Sequence, residues 1–175
     1  MNEKSIRFCI LIYFITSINF LFCQNECYQK VDSIGYYIFS EVNFSRKLHT
    51  KIDTIEHRSD ELTIRNYIGN SKINFFNICK SKLHILSNEL RDTFDNQNQI
   101  YQVYNFSDYS VQIINLIKNG SKITFGHLNL KKDIKNYKKL MCKHIRLVLD
   151  GGESFISFAY DWERKKMLYF RPNKI

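Results

Sequence analysis

Apolar residues recur along this chain with two periods. A step of three to four residues marks helices and a step of two marks strands. The helical step is clearest from Leu130 to Val148. Ile134, Tyr137, Leu140, Met141, Ile145 and Val148 fall on one stripe, while Lys131, Lys132, Lys135, Lys138, Lys139, Lys143 and Arg146 fall mostly outside it. The pattern predicts an amphipathic helix with a basic outer face. Asn129 suits its N-cap, and Gly151-Gly152 its end. Leu83, Leu86, Leu90 and Phe94 predict another amphipathic helix. Val31, Ile34, Tyr37, Ile38 and Val42 also fit a helical face, which is the favoured reading; the aromatic and β-branched run Tyr36–Ser40 fits a strand as well.

The two-residue step dominates elsewhere. Tyr109, Val111 and Ile113 alternate with Ser110 and Gln112, and Ile123, Phe125 and His127 share one face of a return strand. Asn119-Gly120 between them is a strong hairpin signal, because both residues tolerate positive φ. A second hairpin is predicted near the C-terminus. Ile156, Phe158 and Tyr160 form the apolar face of its first strand, Asp161–Lys165 turns, and Leu168 and Phe170 share a face of the second. Gln99–Phe106 reads as a strand. His49–Ile68 reads as a hairpin turning at Arg58–Asp60, with Leu62, Ile64 and Ile68 on its second arm. Ile73–Ile78 is an apolar run that fits either type. Joined in order, these elements predict a single α+β domain over residues 24–175. It would have a mostly antiparallel sheet of about five to seven strands and two or three helices packed on one face.

Composition supports one globular domain: 44% of the 175 residues are hydrophobic, and a single proline and six glycines leave no room for a linker. The N-terminus adds a destination. Lys4 and Arg7 precede the apolar run Phe8–Phe22, and Gln24, Asn25 and Glu26 follow it. That run suits a signal peptide and is short for a membrane span, so residues 1–23 are expected to be a secretion signal. Cleavage after Cys23 would leave Gln24 first; acylation of Cys23 is the alternative, against which Phe22 is a poor fit. The mature chain is then exported: periplasmic, envelope-associated or secreted. Cys27, Cys79 and Cys142 remain with it, and their spacing leaves the pairing open. No pair has zinc spacing, and neither metal nor cofactor is expected.

The net charge of +9 points to anionic partners, either an acidic protein or an anionic membrane surface. Export argues against nucleic acid, as does the lack of aromatic residues on the basic face. Lys135, Lys138, Lys139, Lys143 and Arg146 are the expected binding residues. The Gly-x-Ser-x-Gly, zinc-protease and P-loop patterns are absent. A histidine general base is the remaining catalytic option, using His57 beside Glu56, or His127 on its strand. The chain therefore reads as an exported, non-catalytic binding protein with a basic helical surface, and alternatively as a small secreted hydrolase.

Overall fold

The computed structural model describes residues 27–41, 44, 54–97, 104–138, 140–146 and 152–173, with backbone alone at 54–59 and 173. The expected signal segment 1–23, Cys23 and Lys139 lie outside these residues, as does most of the expected strand Gln99–Phe106. Six strands form one sheet in sequence order: β1 (Tyr28–Val31), β2 (Ile34–Phe39), β3 (Tyr109–Lys118), β4 (Ser121–Leu130), β5 (Gly152–Asp161) and β6 (Lys166–Asn173). All neighbours are antiparallel except β2 and β3. The parallel step needs a crossover, and α1 (Thr54–Ile68) and α2 (Lys80–Gln97) lie within it. The α+β class with a mostly antiparallel sheet holds.

The helices divide between the two faces of the sheet. Leu83, Leu86, Leu90 and Phe94 of α2 pack with Tyr36, Val111, Ile113, Leu128, Ile156 and Phe158. Ile64 and Ile68 of α1 pack with Phe39, Ile114, Leu116, Ile123, Phe125 and Ala159. Successive strand residues point to opposite faces, so these are the two sides of one sheet. The expected single-faced cover is thus replaced by a layer on each side. The chain changes sides just beyond the end of β2. There Phe76 N–H donates to Asn115 O (3.2 Å) and Ile117 N–H to Asn74 O (2.9 Å), continuing the β3 edge past Phe39. The ambiguous run Ile73–Ile78 is this passage.

Three local expectations change. The expected hairpin arm Leu62–Ile68 is the second half of α1. Asp60, Thr63, Ile64 and Ile68 are buried at helical spacing, whereas Leu62 is 63% exposed. The alternation of Leu62 with Ile64 was coincidental, and Glu61 pairs with Arg65 across one turn (3.2 Å). Val42 lies outside the described residues, and the rest of the expected helical face, Val31, Ile34, Tyr37 and Ile38, belongs instead to the β1–β2 hairpin. Gly35 belongs to it: a Cβ there would meet the Tyr28 ring at 2.8 Å, so glycine lets that ring cross the strand. In β6, the register against β5 shifts between Ala159 and Tyr160. Met167 and Phe170, not Leu168 and Phe170, therefore reach the α2 face, and Leu168 is exposed.

The Asn119-Gly120 turn forms as expected, with φ of 51° and 84°. From Tyr104 to Phe106 the expected strand is absent, and the chain turns at Phe106–Asp108 in a 3₁₀ turn closed by Asn105 N–H donating to Asp108 Oδ2 (2.9 Å).

Candidate functional site

The expected basic helix is not a regular helix. Residues 131–138 and 140–143 form a succession of turns. Among the described residues Asp133, Tyr137, Leu140 and Lys143 donate three residues back, and Met141 and His144 reach four residues back. The sheet and α1 dictate this path. Gln112, buried on β3, donates through Nε2 to Met141 O (2.5 Å) and His144 O (2.6 Å), and its Oε1 accepts from Arg146 N–H (2.9 Å). Those carbonyls and that N–H are withdrawn from any helical ladder. Ile145 N–H donates to Asp60 Oδ1 on α1 (2.9 Å). Lys131 Nζ donates to Ser107 O (2.6 Å) and Ser33 O (3.3 Å). A disulfide joins Cys142 to Cys27, just before β1. Cys79 stays outside the disulfide, 3.1 Å from Ser81 Oγ.

The cations therefore have unequal roles. Lys131 is a clamp. Lys132 contacts the Tyr104 hydroxyl (3.1 Å) and lies over that ring, and the hydrogen bond raises its pKa. Lys135, Lys138 and Lys143 are exposed, with no hydrogen bond or ion pair among the described residues. Arg146 is half-buried; its Nη1 donates to Asn129 Oδ1 (3.2 Å) and its guanidinium lies 5.6 Å from the Tyr137 ring centre.

Beneath the segment, against α1, lies a cleft of about 220 Å³. Ile134, Met141 and Ile145 turn inward and are buried, whereas Tyr137 and Leu140, expected on the same stripe, stay about half exposed at its mouth. Asp60 is 2% exposed, and its Oδ2 faces His144 Nδ1 at 3.5 Å. This histidine–carboxylate pair joins residues far apart in the chain, so no local motif could have announced it. The expected Glu56–His57 pair falls in the first turns of α1, where the described residues include no side chains. A second groove of about 410 Å³ runs between α1 and β6. There Lys118 is occupied by Tyr67 O (2.8 Å), and Arg171 lies over Tyr169.

His127 occupies the centre of the α1 face, in register with Gln112 and Ser157. Its Nε2 lies 2.6 Å from the Tyr67 hydroxyl and its Nδ1 3.2 Å from Ser157 Oγ, and its ring stacks on Phe155 at 4.5 Å. A neutral ring satisfies both contacts when Tyr67 donates to Nε2 and Nδ1–H donates to Ser157. Burial pushes the histidine pKa down to about 3 and the Tyr67 hydroxyl well up. Among the described residues His127 lines a cavity of about 10 Å³, too small for a substrate.

This burial has a measurable consequence. Between pH 6.5 and about 3 the unfolded chain protonates His127 and the folded chain does not. Stability should therefore fall with pH across that window by about 1.4 kcal/mol per unit from this group, with no contribution above it. Urea unfolding of the wild type and His127→Gln at pH 6.5, 5.5 and 4.5 should give slopes differing by about that amount. Equal slopes would refute the buried neutral state.

Among the described residues no group of three or more histidine, cysteine or acidic side chains could hold a metal. No helix there is long and apolar enough to cross a membrane. No protein-family model matches the chain, and neither a curated protein nor a solved structure matches it significantly.

Proposed function

We propose that this chain is an exported, non-catalytic binding protein, and that its 131–146 segment presents cations to an acidic protein partner. The observation that carries the reading is the state of Lys135, Lys138 and Lys143. All three are exposed and unpaired among the described residues, beside half-exposed Tyr137 and Leu140. Long-range attraction by clustered cations speeds encounter, and aromatic and aliphatic side chains among charges are typical of a protein interface. Export is supported by the apolar N-terminal run and by the Cys27–Cys142 disulfide, since such bonds persist in oxidising compartments. Cleavage after Cys23 predicts an intact mass starting at Gln24 for protein recovered from its native host.

A hydrolase built on His127 has less support. Its ring is enclosed, neither contact is a carboxylate, and a pKa near 3 leaves little driving force for taking a proton at neutral pH.

The test is the variant K135E/K138E/K143E. These side chains make no described contacts, so its melting temperature should stay within about 2 °C of wild type. Recovery of acidic partners from the host's extracellular or envelope fraction should fall about tenfold or more, and wild-type recovery should weaken as salt rises. Equal recovery by variant and wild type would remove the segment from the binding surface. Charge-dependent sedimentation with phosphatidylserine vesicles, without protein capture, would replace the protein partner with a membrane.

A further inference from the structure

We propose that the cleft between α1 and the 131–146 segment is a binding site for a small aromatic carboxylate, with Arg146 as its anion anchor. Arg146 is half-buried, yet among the described residues it has no carboxylate partner. Among the described residues its side-chain hydrogen bond goes to a neutral amide, Asn129 Oδ1. Placing a guanidinium partly out of water without a counter-ion is unfavourable, and an anion entering the cleft relieves that cost. The fork of guanidinium N–H groups matches a carboxylate edge, and one such group suits a singly charged ligand.

The rest of the lining selects a ring. Tyr137, Leu140 and Met141 form an apolar wall next to the guanidinium. The volume of about 220 Å³ exceeds the roughly 150 Å³ that accommodates benzene, leaving room for one polar substituent. Asp60 also borders the cleft and would repel an anion or attract an amine if it were open to the ligand. It is 2% exposed, however, with Oδ1 accepting from Ile145 N–H and Oδ2 facing His144. The exposed charge in the cleft is therefore the arginine. This site is separate from the lysine surface, because Lys135, Lys138 and Lys143 are not part of its wall.

The test is a two-dimensional NMR titration of the full domain with benzoate, benzylamine and inorganic phosphate. Benzoate should saturate with a Kd on the order of 1 mM and shift the signals of Tyr137, Leu140 and His144. Arg146→Gln, which can keep a hydrogen bond to Asn129, should weaken benzoate at least tenfold. Tyr137→Glu replaces a half-exposed ring 5.6 Å from the guanidinium with a carboxylate that competes for Arg146, and should abolish binding. The K135E/K138E/K143E variant should bind benzoate within twofold of wild type, so this site and the proposed lysine surface fail separately. Absence of saturable benzoate shifts would overturn the proposal. So would unchanged affinity in both Arg146→Gln and Tyr137→Glu, or benzylamine or phosphate binding as tightly as benzoate.

Discussion

Replacing Cys27 and Cys142 together with serine should destabilise the domain by about 4 kcal/mol. The bond closes a loop with a sequence separation of 115, and opening so long a loop returns a large entropy to the unfolded chain. For a domain of this size that corresponds to a fall in melting temperature of about 10 °C. Wild type melted in reductant should match the double variant, because both lack the same link. Cys79→Ser should leave the melting temperature unchanged in either condition, since Cys79 is outside the bond. A loss below about 1 kcal/mol in the double variant would mean that the remaining contacts hold the segment without the link. The choice of a double variant avoids a lone thiol that could pair between molecules.

Most of the sheet was legible in the sequence, for a physical reason. Strands β3–β4 and β5–β6 are each joined by a local hairpin, so alternation and turn residues such as Asn119-Gly120 carry nearly all the information for those two pairs, while β4 and β5 pair across the long segment that starts at Lys131. Helix α2 was legible because Leu83, Leu86, Leu90 and Phe94 fit no other period. In α1, Ile64 and Ile68 satisfy both periods whereas Leu62 fits only the strand period, and the burial of Asp60 and Thr63 with the exposure of Leu62 decides for the helix. The double-sided cover did leave a sequence signal. Tyr109–Leu116 is apolar on both alternating faces apart from Ser110, Gln112 and Asn115, and such a strand is covered on both sides.

The candidate site was legible only in part. The basic residues and Arg146 stood out by composition, but their division into clamps, exposed lysines and a cleft arginine depends on contacts from Ser33, Gln112, Asn129 and Asp60. Periodicity correctly identified Ile134, Met141 and Ile145 as inward. It placed Tyr137 and Leu140 with them because it assumed a continuous helix. Donors and acceptors from other elements break that continuity, and a pattern within the segment cannot register them.

Gln112→Leu tests that account most directly. Gln112 is 2% exposed and makes three hydrogen bonds to the backbone of one short segment. Two carbonyls require the amide nitrogen and one N–H requires the amide oxygen, so no apolar residue can serve. Leucine keeps the bulk and leaves all three groups without their partner, at about 1–3 kcal/mol each for those that stay dry. Partial entry of water through the adjacent cleft should limit the total to about 4 kcal/mol, read as a lower urea midpoint with an unchanged slope. The loss should also be local in character. Amides of residues 141–146 should exchange with deuterium at least tenfold faster, while those of β3 and β4 away from Gln112 keep their protection relative to global stability. Loss of less than 1 kcal/mol, with unchanged exchange at 141–146, would show that the turns form on their own. If instead the segment loosens as expected, Arg146 and the lysines lose their fixed positions together. Both proposed binding surfaces then depend on one buried amide in the middle of the sheet.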